Sequence, residues 1–129
     1  MPGSLGKKVN YEFHPDGYII STAGPGVEID LEDALQLFEA ARSRYQAPFG
    51  LISNRIHEYS IAFSVYEYLE AADDIVAMAV VLYDRAGFPA AKLETRYLKR
   101  TAYATFFDLD RAQEWMRERL AEAAQPPSA

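Results

Sequence analysis

The hydrophobic pattern predicts an α/β fold of order ββαβαβαβα, a five-stranded mixed sheet with an N-terminal antiparallel hairpin and four helices. Three observations carry the prediction. An alternating run and a second strand-sized run flank the tight-turn sequence His14-Pro15-Asp16-Gly17. Short apolar runs then alternate with stretches whose apolar residues recur at helical spacing. One run, Ile75–Leu82, is apolar at every position, as a strand buried on both faces requires.

In the first strand Val9, Tyr11 and Phe13 alternate with Asn10 and Glu12. After the turn, Tyr18–Thr22 completes the hairpin, and Gly24-Pro25-Gly26 breaks it. Asp30 is a fitting N-cap, with Glu32 and Asp33 in the first turn that favours acids. Leu31, Ala34, Leu35, Phe38 and Ala41 then make Leu31–Tyr45 an amphipathic helix. Pro48 and Gly50 end that region, and Phe49–Ser53 is a short apolar strand.

A polar loop follows, residues 54–60, and Ser60 is placed at or next to the N-cap of the next helix. On that helix Ala62, Val65, Tyr66 and Leu69 share a face. After Ile75–Leu82, Asp84-Arg85-Ala86-Gly87 leads into a helix with Pro89 in its first turn, expected to run to about Arg100. Tyr103–Phe107 is the last strand. Asp108 caps the last helix, whose buried stripe is Ala112, Trp115, Met116 and Leu120. Strands joined by helices pair in parallel.

The 129 residues suit a single domain, 1–129, with loose tails at 1–6 and 125–129. Half of the residues are hydrophobic and 25% are charged, which is ordinary globular composition. The absence of cysteine excludes disulfides, thiolate metal sites and a cysteine nucleophile, and fits a cytoplasmic location. A net charge of −6 argues against nucleic acid as a partner. No apolar run approaches the ~20 residues of a membrane span, and Met1–Lys8 lacks the apolar core of a signal peptide.

The chain resembles the STAS-like, SpoIIAA-like group of small bacterial proteins, many of them uncharacterised. The resemblance runs from Tyr11 to about Ala121 and rests on element order and three patterns. These are Leu51-Ile52-Ser53-Asn54-Arg55 leading to Tyr59-Ser60, the run Ile75–Leu82, and Phe106-Phe107-Asp108 followed by Ala112 and Trp115. In better-known members the loop after the central strand carries a serine that a partner kinase phosphorylates within an Asp-Ser-Ser-Gly-type motif. Ser60 falls in a similar place, but between Tyr59 and Ile61. Fold analogy also implies lipid binding.

The candidate binding residues are Asn54, Arg55, His57, Tyr59 and Ser60, with Asp84 and Arg85 after the next strand. In open α/β sheets ligands gather at the carboxyl ends of strands, where such a loop sits. A structural reading competes: Asn54 satisfies turn backbone, Ser60 caps, and Arg55 pairs with Glu58. Ser60, His57 and Asp84 are the residue types of a hydrolase relay, but no Gly-x-Ser-x-Gly elbow exists. His14 and His57 offer no zinc spacing, and Gly24-Pro25-Gly26 is no phosphate loop. The sequence therefore predicts a binding module rather than an enzyme, without cofactor or metal, serving a protein partner. A small molecule or lipid at the same strand ends is the alternative. Tyr59, Phe63 and Tyr68 lie off their helix's core stripe and are expected either to form an exposed interface, suited to a homodimer, or to pack beneath the loop. Lys92, Arg96, Lys99 and Arg100 are expected on one solvated helix face.

Overall fold

The computed structural model describes residues 2–5, 8–46, 48–57 and 59–124. Its strands are β1 (Pro2–Leu5), β2 (Val9–His14), β3 (Tyr18–Ala23), β4 (Glu28–Ile29), β5 (Phe49–Arg55), β6 (Ser60–Ile61), β7 (Ile75–Leu82) and β8 (Ala102–Phe106). Its helices are α1 (Leu31–Tyr45), α2 (Phe63–Ala71), α3 (Phe88–Glu94) and α4 (Leu109–Ala124). The main sheet has the order β1-β2-β3-β5-β7-β8. β1, β2 and β3 pair antiparallel, and β3, β5, β7 and β8 pair parallel. β4 and β6 form a separate two-residue parallel pair. No described helix is long and apolar enough to cross a membrane.

Side-chain alternation splits the core into two layers. Phe13, Ile19, Leu51, Met78, Val80 and Leu82 face α1, α2 and α3, packing on Phe38, Val65, Leu69 and Ala91. Tyr18, Ile52, Ala77, Ala79 and Val81 face α4, packing on Ala112 and Met116. The α4 face is lined by small residues because the helix lies close. A Cβ on Gly50 would stand 2.2 Å from the Met116 sulfur.

Local chemistry follows the sequence at both long helices. Asp30 accepts the Asp33 N–H at 2.8 Å while Asp33 accepts the Asp30 N–H at 3.1 Å, a reciprocal capping box. Gln46, at φ 53°, ends α1 in the left-handed conformation. Asp108 accepts the Arg111 N–H at 3.2 Å and caps α4. The expected hairpin and its turn are present, and Ile75–Leu82 is interior, with a parallel neighbour on each side.

Four expectations need correction. The sheet has six strands rather than five, because residues 2–5, expected in a loose tail, pair with Val9–Glu12. Pro and Gly disguise that strand, and an outermost strand tolerates proline. β5 runs two residues past Ser53, so Asn54 and Arg55 belong to the sheet and not to a loop. Ser60 does not cap α2. It lies in β6, donates its N–H to Val27 O, and the N-cap is Ala62, which makes no side-chain cap. Finally, α3 stops at Glu94. The Thr95 hydroxyl bonds back to Lys92 O at 2.7 Å, and the Glu70 carboxylate accepts the N–H groups of Lys99, Arg100 and Thr101 at 2.9 to 3.1 Å. That capture draws the chain off the helical path toward β8.

Candidate functional site

The parallel strands β5, β7 and β8 stop at one end of the sheet, with Arg55 level with Leu82 and Val81 level with Phe106. A cleft of about 470 Å³ opens there, lined by Arg55, Ile56, His57, Tyr59, Tyr83 and Asp84 among others. It lies where an open α/β sheet most often takes a ligand, and its volume is within the usual ligand range.

Beneath the cleft is a buried polar network. Arg55 and Glu94 form a two-point pair, Nη1 to Oε1 at 2.5 Å and Nη2 to Oε2 at 2.8 Å. Their side chains are only 11% and 9% exposed, so this charge pair is nearly withdrawn from water. Arg55 Nε donates to Ser53 Oγ at 3.2 Å, and the Ser53 and Tyr59 hydroxyls are hydrogen-bonded. The guanidinium also lies 5.5 Å from the Tyr59 ring centre. Tyr103 donates its hydroxyl toward Ala91 O at 2.9 Å and Glu94 Oε2 at 3.1 Å.

The electrostatics follow from burial. Burial alone disfavours the Arg55 charge, but the hydrogen bonds and attraction of Glu94 outweigh it and hold the Arg55 pKa above its ordinary value. Burial pushes the Tyr59, Tyr66 and Tyr103 phenols up, so none is poised to ionise near neutrality. The network is a satisfied structural latch that joins α3 to the sheet.

Of the residues singled out in the sequence, Arg55, His57, Tyr59 and Asp84 line the cleft together. Asn54 is buried and points to the other face, where its Oδ1 accepts the Tyr83 hydroxyl at 2.7 Å. Ser60 does not line the cleft. Arg85 is exposed, its guanidinium 5.7 Å from the Phe107 ring centre, and Asp84 accepts the Ala86 N–H at 2.9 Å in a local turn. Arg55 pairs with Glu94. The alternative partner weighed from the sequence, Glu58, lies outside the described residues, as do the tail residues 1, 6 and 125–129. Among the described residues no hydrogen bond joins Ser60, His57 and Asp84, and no cluster of three or more metal-ligating side chains occurs.

The aromatic trio does not form one patch. Tyr59 is tied to Ser53. Tyr68 stacks on Phe38 at 5.7 Å and accepts Arg42 Nη1 at 2.5 Å, and Phe63 is 55% exposed and meets Tyr97 edge-on at 4.9 Å. The basic four are not one helix face either, since α3 ends before Arg96. Arg100 donates to the Glu70 and Ala72 carbonyls at 2.6 and 2.8 Å.

Sequence reasoning missed Glu94, Ser53, Tyr83 and Tyr103. Glu94 had a signal. With Ala91 and Leu98 it completes the spacing i, i+3, i+7, which puts a carboxylate on a buried stripe and calls for a buried cation. It also missed a rim. Ile56, Tyr83 and Phe107, each the first residue past one of the three adjacent parallel strands, are 53%, 52% and 50% exposed.

No family model matches the chain, and no curated protein matches it. A solved structure does. It is that of an uncharacterized protein from the DUF3478 family with a SpoIIAA-like fold, from Shewanella loihica PV-4. The match covers 90% of this chain and 98% of that one, with a TM-score of 0.57 and 16% sequence identity. The fold of this chain is thus SpoIIAA-like, in agreement with the resemblance drawn from its sequence.

Proposed function

We propose that this chain is a non-enzymatic binding module that receives a protein partner at the end of the sheet where β5, β7 and β8 stop. The observation that carries the reading is the rim of Ile56, Tyr83 and Phe107, three large apolar side chains half open to water at adjacent strand ends. Exposed apolar groups gathered at one place mark interaction surfaces, and those scattered singly do not. The cleft beside the rim, about 470 Å³, has room for one or two side chains of a partner. The buried Arg55–Glu94 latch holds the floor rigid, which lowers the ordering cost of association.

The test is a comparison of the chain with its Ile56→Asp, Tyr83→Asp, Phe107→Asp triple variant. Partners captured from native lysate by the parent chain are purified and their affinities for both proteins measured. The expected result is unchanged folding by circular dichroism with at least tenfold weaker binding. Equal affinity would overturn the reading, as would robust hydrolytic turnover abolished by His57→Ala.

The cleft volume also favours a second reading, a small polar ligand held by His57, Tyr59 and Asp84. A lipid tail fits less well. The apolar space behind Tyr59, among Leu37, Phe38, Leu51, Val65 and Met78, is about 40 Å³, enough for little more than a water. Native mass spectrometry of protein purified from cells separates these cases. Retained mass that is lost on Tyr59→Ala supports the small ligand, and a bare chain mass opposes it.

A further inference from the structure

The two edges of the main sheet differ. β1 contains Pro2 and Gly3, residues that blunt an edge. β8, Ala102-Tyr103-Ala104-Thr105-Phe106, contains no proline, glycine or charge. Its register with β7 is unbroken from Ala77 opposite Ala102 to Val81 opposite Phe106, so no bulge twists it away. All five of its residues are half-exposed, and no described strand pairs with its outer side. Such a strand presents a row of backbone donors and acceptors ready for another strand.

The sequence around β8 is complementary to itself. Lys99 and Arg100 precede the strand, and Asp108 and Asp110 follow it. Arg100 is held within the chain by the Glu70 and Ala72 carbonyls, and Lys99 beside it is exposed. A second strand laid antiparallel about Ala104 sets Lys99 opposite Leu109 of the second copy, between Asp108 and Asp110, and the same contact repeats across the two-fold axis. A parallel copy would instead set like charges together. The antiparallel register also sets Phe106 opposite the small Ala102, Tyr103 opposite Thr105, and Ala104 opposite itself, so large side chains meet small ones. Both faces of β8 are already covered within the chain. Phe106 packs on Trp115 of α4 at 5.7 Å, and the Tyr103 hydroxyl bonds α3 at Ala91 O. Only the edge is open.

We infer that β8 is a homodimerisation edge, pairing antiparallel with β8 of a second copy to give one continuous sheet across the two-fold axis. The occupant is this chain itself because the basic start and acidic end of β8 answer each other only in a self-pairing of opposite direction. The same register sets the rim residue Phe107 opposite Thr101 of the second copy, and leaves Ile56 and Tyr83 of the rim free.

The chain has no cysteine, so one introduced thiol is unique. Ala104→Cys, which lies on the axis, should be joined into covalent dimers by a short bis-thiol cross-linker, whereas Glu39→Cys on α1 should not. Sedimentation equilibrium should show a monomer–dimer equilibrium. Hydrogen exchange should show the outward-facing amides of 102–106, those not bonded to β7, protected at high concentration and released on dilution. Lys99→Glu should weaken the dimer roughly tenfold, and adding Asp110→Lys should restore it. A chain monomeric at every concentration would overturn the inference, as would a dimer whose outward-facing 102–106 amides are unprotected or which cross-links at 39 and not at 104.

Discussion

At the end of the sheet where the parallel strands begin, polar side chains bind helices to turns. Asp16 meets Arg117 at 2.9 Å, Gln113 donates to the Tyr18 hydroxyl at 2.8 Å, and Tyr45 donates to His14 O and Tyr18 O. Arg42 grips Asp74 at 2.6 and 3.0 Å. At the end where the strands stop, large apolar groups stand open around a cleft, and the ion pair lies beneath them, out of water. The first end spends its polar groups on closing the fold. The second buries its ion pair and leaves large hydrophobic side chains open beside His57 and Asp84, the inverse of what stability alone would select. That inversion is the physical reason to place recognition there.

Substitutions can break or sharpen this contrast. Val80 is fully buried midway between the ends, so Val80→Asp should collapse both together at a cost on the order of the whole stability, roughly 5 kcal/mol or more. An unchanged melting temperature would refute the interior placement of β7. Glu94→Ala should cost about 3–5 kcal/mol in urea titration, because it strands the Arg55 charge below the cleft. Gly50→Ala, at the beginning end, drives a methyl into Met116 and should cost about 1–3 kcal/mol.

Arg42→Met should cost only about 1 kcal/mol, since Arg42 and Asp74 remain 33% and 35% exposed. The same end should govern the acid response. Hydrogen bonds from Arg42 hold the Asp74 carboxyl below its ordinary 3.8, and backbone N–H groups of Arg100, Thr101 and Lys99 hold Glu70 below 4.5. A carboxylate with a lowered folded pKa stabilises fully above its unfolded value and loses that contribution as pH falls through the folded one. Melting temperature should therefore be flat above about pH 5 and decline below about pH 4, with a shallower decline in Asp74→Asn. The smallest effect on stability belongs to two residues of the rim. Ile56→Asp and Phe107→Asp should each move stability by about 0.5 kcal/mol or less while binding falls, whereas Tyr83→Asp should cost about 1–3 kcal/mol because it leaves the buried Asn54 Oδ1 without its donor. A larger loss at Ile56 or Phe107 would mean that the residue supports the fold.

The elements with periodic apolar patterns were legible in the sequence. Phe38 and Ala41 on α1, the unbroken run of β7, and the caps Asp30 and Asp108 are local signals that tertiary structure only reinforces. The site was half legible. Arg55, His57, Tyr59 and Asp84 could be chosen because strand ends gather ligand-facing residues, but their partners come from far along the chain. Glu94 lies 39 positions from Arg55, and no local rule pairs them. Ser60 misled for the opposite reason. A serine before a helix pattern is a strong local capping signal, yet two residues of parallel pairing with Glu28 and Ile29 hold it in a strand. Arg100 was read as surface charge because its role depends on carbonyls at the end of another helix.

The packing of α4 against β8 has an optical consequence. Trp115 is the chain's single tryptophan, half-buried, with Phe106 on one side and the Arg119 guanidinium 5.6 Å from its ring centre. Its emission therefore samples one locality, the last residue of the outermost strand and the helix that covers it. Tryptophan fluorescence of the unlabelled chain, excited at the red edge where the nine tyrosines do not absorb, becomes a readout confined to that corner. A change there on dilution, with far-ultraviolet circular dichroism constant, would register an event at β8 alone, while a partner seated on the rim at Ile56 would leave the emission dark to its arrival.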